Sequence, residues 1–241
     1  VTVTIMNDQE WSTGGVVTLL SLSSDGVFVR PVLPKTVATR RLVFVGDSIT
    51  AGTNLRRPIG DPAHGIPMAP STPISGIMDD YPLTYQAQLC QAFGANCSTI
   101  AYGGKGMYKN CCDEGTTMPE YFQQRLTSEP LRDYEYVFGA DGFVPDAVVI
   151  ALGTNDFAHC RTKPCTADFL AGYVKTYVQF MLNVTRWYEK PDIEFFCGIG
   201  PITVNYENST RAAVQQAVDL GLKATIVDMQ ACARPFPGGA T

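Results

Sequence analysis

The stretch Pro145-Asp-Ala-Val-Val-Ile-Ala-Leu152 does most to narrow what this chain can become. Its apolar centre is the length of a strand and lacks polar alternation, so both faces must be covered, as in a central strand of a parallel sheet. Leu42-Val-Phe-Val45 has the same character, and Asn96 to Ala101, Ile193 to Gly200 and Lys223 to Asp228 read as further strands. Tyr81 to Phe93, Ala167 to Tyr188 and Ser209 to Leu220 read as helices. The longest of them sets Phe169, Tyr173, Tyr177, Phe180 and Met181 on one face. Strands alternating with helices predict a three-layer α/β domain with a largely parallel sheet, running from residue 38 to 241. Ligands bind such sheets at the carboxyl ends of the strands.

Residues 1 to 37 differ. Val1-Thr-Val-Thr-Ile alternates, Gly15 to Leu22 is apolar, and Ser24-Asp-Gly turns the chain into Val27-Phe-Val-Arg. A few strands make no stable sheet alone, so this segment is expected to be the remnant of a β-sandwich (jelly-roll) domain, joined by the linker around Pro31 and Pro34. Val1 opens in mid-pattern without a signal peptide, and Pro235 to Thr241 reads as a loop, so both ends are expected to be cut. The Pro-rich stretch from Arg57 to Pro73 reads as an insertion.

Composition excludes some partners. No apolar run approaches the length of a membrane span. The net charge of -5 and the lack of a basic cluster argue against a nucleic-acid partner. The eight cysteines show neither Cys-x-x-Cys pairs nor interleaved histidines, so no metal site is expected. Disulfides are expected instead, and with them a secreted protein. Short loops suggest Cys90–Cys97 and Cys160–Cys165. Asn96, Asn183 and Asn208 open glycosylation sequons.

Three sharp motifs follow strands. Gly46-Asp47-Ser48-Ile49-Thr50 places a serine hydroxyl at the sheet's carboxyl edge, where a nucleophile needs exposure and nearby N–H donors. A serine there can equally be an ordinary helix cap. Ile100-Ala-Tyr-Gly-Gly-Lys-Gly106 offers backbone N–H groups at glycines, or merely a turn. Leu152-Gly-Thr-Asn-Asp156 ends in an asparagine whose amide can donate to an oxyanion, or close an Asx turn.

Taken in order, these blocks resemble those of the SGNH (GDSL) hydrolases, which implies a flavodoxin-like domain and a serine esterase. The α/β-hydrolase elbow Gly-x-Ser-x-Gly is not matched, because Thr50 stands two residues after Ser48. The resemblance implies Ser48 as nucleophile, with the Ser48 N–H, the Gly104 N–H and the Asn155 amide as the oxyanion hole. Relatives often carry Ser-Gly-x-Gly in the second block, and this chain has Gly103 where that serine stands. The sandwich remnant and linker, Asp79-Asp-Tyr-Pro-Leu-Thr-Tyr85 and Lys105-Gly-Met-Tyr-Lys-Asn-Cys111 look like the two-domain carbohydrate esterase family 2, which is similar to acetyl-xylan esterases. That likeness implies an acylated carbohydrate or small ester as substrate, acetyl groups above all, and no cofactor.

A serine needs a base to take its proton. SGNH enzymes use a histidine of a late Asp-x-x-His block, and no such block follows the strand ending at Asp228. The two histidines, His64 and His159, do not occupy that position. The expectation is therefore a fragment with little or no turnover, its general base absent from the chain. The alternatives are a lipase or acylhydrolase acting on small or lipid esters, and a non-catalytic carbohydrate-binding pseudo-esterase. Coding sequence past Thr241 with an Asp-x-x-His block would separate the esterases from the binding module.

Overall fold

The computed structural model describes residues 40–53, 81–124 and 136–230. The sandwich remnant, the Arg57–Pro73 insertion and His64 lie outside these residues. Five strands form one parallel sheet: β1 (Arg41–Gly46), β2 (Asn96–Ala101), β3 (Ala147–Ala151), β4 (Glu194–Ile199) and β5 (Lys223–Asp228). Their order is β2-β1-β3-β4-β5. After β1 the chain moves outward to β2 on one side, then returns to build β3, β4 and β5 on the other. This is the flavodoxin-like doubly wound order, with its topological switch at the carboxyl ends of β1 and β3.

The helices are α1 (Ser48–Ala51), α2 (Tyr85–Phe93), α3 (Met118–Gln124), α4 (Ala167–Trp187) and α5 (Glu207–Asp219). Register explains how they layer. Val43 pairs with Val148 and Val45 with Ile150, while Val148 pairs with Phe195 and Ile150 with Cys197, so these side chains share one face. All are buried in the core with Phe122 of α3, Tyr173, Tyr177, Phe180 and Met181 of α4, and Ala213 and Ala217 of α5. The aromatic face expected of α4 is thus the one it buries, except that Phe169 remains half-buried and packs edge-on against Tyr108 and Phe157. On the opposite face the fully buried Phe44 meets Tyr85 of α2 edge to face. Helix, sheet and helix make the three layers.

Expected boundaries shift for local reasons. Tyr81–Leu83 is a 3₁₀ turn rather than the first turn of α2. Pro82 suits such a turn, and Thr84 caps α2 by accepting the Ala87 N–H at 3.3 Å. In the same way Thr166 caps α4, accepting the Phe169 N–H at 3.2 Å. Two expected disulfides are formed, Cys90–Cys97 joining α2 to β2 and Cys160–Cys165 closing the loop before α4. A third joins the adjacent Cys111 and Cys112, a pairing that loop closure does not suggest.

At the amino end of the sheet, Asp146 ties β1 to β3. Its carboxylate accepts the Arg41 N–H at 2.9 Å and the Lys190 ammonium at 2.7 Å. The Lys190 hydrogen bond holds the Asp146 carboxyl below its usual range. A carboxylate with a lowered folded pKa contributes stability that is present above its unfolded value and lost as pH falls through the folded one. Asp146→Asn is therefore expected to be less stable than the parent at pH 7. In urea unfolding, that difference should narrow as pH falls below about 4. A constant difference down to pH 2 would contradict the assignment.

Candidate functional site

The three motifs meet at the switch point. Asp47 leaves β1 buried, and its Oδ1 accepts the Ile49 N–H at 2.9 Å. Asp47 is therefore the cap of α1, and Ser48 is its first helical residue, half-buried. The ordinary role for a serine here falls to its neighbour, and the Ser48 hydroxyl is not needed to start the helix. Thr50 anchors the short helix from inside, with its hydroxyl 3.0 Å from that of Tyr85.

The segment after β2 lies directly alongside. The Tyr102 N–H donates to the Gly46 carbonyl at 3.2 Å. Gly104 adopts φ 78°, a left-handed conformation that glycine reaches without steric cost. Lys105 is buried, its ammonium 3.0 Å from Asp113 and 5.3 Å from the ring centres of both Tyr102 and Tyr121.

Asn155 draws the three segments together. Its Nδ2 donates to the Lys105 carbonyl at 2.8 Å and to Asp47 Oδ2 at 3.3 Å. One side chain after β3 thus contacts the segments after β1 and after β2. Gly153 allows this arrangement. At φ 130°, a Cβ there would sit 2.5 Å from the Tyr206 ring. Tyr206 is itself fixed, its hydroxyl accepting the Gly200 N–H at 2.8 Å and donating to the Gly200 carbonyl at 3.1 Å.

Sequence reasoning missed Asp156. It is fully buried, and its carboxylate accepts the N–H groups of Met107, Tyr108 and Lys109 at 2.9, 2.6 and 2.9 Å. Burial pushes its carboxyl above the usual range, and these hydrogen bonds oppose the shift. The only trace in the sequence was an acid following Asn155, since its partners are backbone groups that every residue type carries. His159, on the same 3₁₀ turn (Asp156–Cys160), reaches the same loop, with Nε2 donating to the Asn110 carbonyl at 2.8 Å. That bond commits Nε2 away from Ser48. Asp228 is exposed and accepts the Gln230 N–H at 2.9 Å. No group of residues suited to holding a metal ion occurs among the described residues.

Comparisons with known proteins bear on this arrangement. The model of the family of GDSL-like lipases/acylhydrolases matches residues 42–234. An acetylxylan esterase / glucomannan deacetylase of Cellvibrio japonicus (strain Ueda107) is 26% identical over 184 residues, 73% of this chain and 43% of that protein. A Corynascus thermopiles (Myceliophthora fergusii) carbohydrate esterase family 2 enzyme with a carbohydrate binding domain superposes at a TM-score of 0.67 with 26% identity. The match covers 86% of this chain and 60% of that one. A family two carbohydrate esterase from Clostridium thermocellum, solved in complex with cellohexaose, superposes at 0.63 with 23% identity, covering 79% and 54%. The chain therefore spans less than half of that curated relative and about three fifths or less of these solved chains.

Asp156→Asn is expected to lower stability by about 1–3 kcal/mol, because an amide nitrogen cannot accept the backbone N–H groups a carboxylate serves. Urea unfolding at pH 7 measures this, and a change below about 0.5 kcal/mol would contradict the role given to Asp156.

Proposed function

The chain belongs to the GDSL-like lipase/acylhydrolase family, and from that membership and the joined strand ends we propose that Ser48 is the nucleophile of an ester hydrolase. The observation that carries the reading is the Asn155 amide, held between Asp47 and the Lys105 carbonyl, one residue from Ser48 and one from Gly104. In this reading Ser48 Oγ attacks the ester carbonyl and the carbonyl oxygen becomes an oxyanion. The Ser48 N–H, the Gly104 N–H and Asn155 Nδ2 donate to it. Both Asn155 N–H bonds are engaged in the free site, and the 3.3 Å contact with Asp47 is the longer, so it is the one an oxyanion displaces. The tetrahedral intermediate expels the alcohol, leaving an acyl-Ser48 that water hydrolyses.

The proton of Ser48 needs an acceptor. His159 Nε2 is bonded to the Asn110 carbonyl, and neither His159 nor His64 stands in a late Asp-x-x-His block, so in this reading the general base is absent from these 241 residues. On this account the 241-residue chain alone turns over little or no ester. The substrate class is an acetylated or otherwise short-acylated carbohydrate, supported by the acetylxylan esterase and carbohydrate esterase relatives. The reaction requires no cofactor. The disulfides support an oxidising, extracellular location.

The full-length protein is expected to hydrolyse 4-nitrophenyl acetate and to release acetate from acetylated xylo-oligosaccharides. Ser48→Ala should reduce kcat by several orders of magnitude. Asn155→Ala should reduce it about 10²- to 10³-fold with KM nearly unchanged. Equal rates in parent and Ser48→Ala would overturn the reading. Binding of xylo- or cello-oligosaccharide without any turnover would favour a carbohydrate-binding module instead.

A further inference from the structure

We propose that the Cys111–Cys112 disulfide positions the Gly104 N–H, so that catalysis at the Ser48 site depends on this bond remaining oxidised. The inference rests on the oxyanion role given to Gly104 above. Bonding two adjacent cysteines closes a ring through the peptide that joins them, and removes most of the freedom of that peptide. The ring is set against Gly104 in two ways. The Cys111 N–H donates to the Gly104 carbonyl at 3.0 Å. Its sulfur also lies 3.5 Å from where a Cβ on Gly104 would stand, and so lines the space beside that face of the glycine.

The residues flanking the ring hold different positions. The Asn110 Oδ1 accepts the Gly106 N–H at 3.1 Å, and Asp113 binds the buried Lys105 ammonium at 3.0 Å. Asn110 Nδ2 also donates to Asp113 at 2.7 Å and to the Gly115 carbonyl at 2.9 Å. Residues 105 and 106 are thus fixed by polar side chains outside the ring. Gly104, with no side chain and a left-handed backbone, sits in a turn closed by the Lys105 N–H on the Tyr102 carbonyl at 3.3 Å, and its outer side is braced by the cystine. Opening the ring should therefore act locally, on the one residue whose N–H the reaction uses. Cys112 is exposed, which gives a thiol reagent access to its sulfur.

The chemistry is thiol–disulfide exchange. A dithiol such as dithiothreitol attacks the Cys112 sulfur as its thiolate, breaking the Sγ–Sγ bond and forming a mixed disulfide. Its second thiol then closes the reagent into a cyclic disulfide. Cys111 and Cys112 finish as thiols, having gained two electrons and two protons in total from the dithiol. Because the oxyanion exists only along the reaction path, a misplaced donor lowers kcat rather than raising KM.

The test uses the full-length protein. Dithiothreitol is applied under mild conditions, and alkylation with mass spectrometry identifies which thiols have formed. Amide exchange of residues 102–106 and hydrolysis of 4-nitrophenyl acetate are then measured. Opening of the 111–112 pair is expected to accelerate exchange at Gly104 and to lower kcat about tenfold or more with KM nearly unchanged, a fraction of the loss on deleting a donor. Removing the reductant should restore both. The Cys111→Ser/Cys112→Ser double variant should show the lower kcat without reductant and no further fall with it. This separates the pair from Cys90–Cys97 and Cys160–Cys165. Unchanged exchange and kcat in protein shown to be open at 111–112 would overturn the proposal, as would a double variant with the parent's kcat. Faster exchange at Gly104 in a protein that never shows Ser48-dependent hydrolysis would support the coupling but overturn the esterase reading beneath it.

Discussion

Everything at this site depends on the hydrogen bonds of the Asn155 amide. One nitrogen, leaving the carboxyl end of β3, donates to a carbonyl after β2 and a carboxylate after β1. The doubly wound order makes that reach possible, because β1 lies between β2 and β3 and all three strands point the same way. Had β2 been inserted elsewhere, the segments that carry Ser48 and Gly104 would not lie side by side. The bonds also hold the ends of β1, β2 and β3 together.

Support for that amide comes from a second layer of contacts built by the same short segment. Asp156 takes consecutive backbone N–H groups of the loop after β2, and His159 takes a carbonyl slightly further along it. An ionised carboxylate without partners would be costly at this depth, and the nest of N–H groups offsets that cost. From the other side, the Tyr206 ring fills the space a side chain at Gly153 would need. The loop after β2 is thereby held from residue 105 to 110, and Gly104 lies between the Tyr102–Lys105 turn and the adjacent cystine.

Much of the fold was legible in the sequence because parallel strands must be buried on both faces. Val43 to Val45 and Ala147 to Ala151 advertise this as unbroken apolar runs followed by Gly-Asp-Ser and Gly-Thr-Asn. Ser48, Gly104 and Asn155 could be singled out as candidates because each follows a strand in a spaced motif. Their partners could not. Asp156 binds backbone far away in sequence, and nothing in residues 107–109 encodes that acceptance. The Cys111–Cys112 pair was hidden for another reason: loop closure is the usual argument for pairing cysteines, and adjacent ones close no loop between elements. The start of α2 was misread because Pro82 and Thr84 are compatible with a continuing helix pattern, yet they favour a 3₁₀ turn and a cap.

The most direct measurement is a crystal structure of the full-length protein treated with a short-chain alkyl phosphonate ester, which mimics the tetrahedral intermediate when bonded to serine. The phosphorus should be attached to Ser48 Oγ, with one phosphonyl oxygen about 2.7–3.1 Å from the Ser48 N, the Gly104 N and Asn155 Nδ2. A phosphonyl oxygen directed away from Gly104 and Asn155, or a phosphonate bonded to a different residue, would contradict the account.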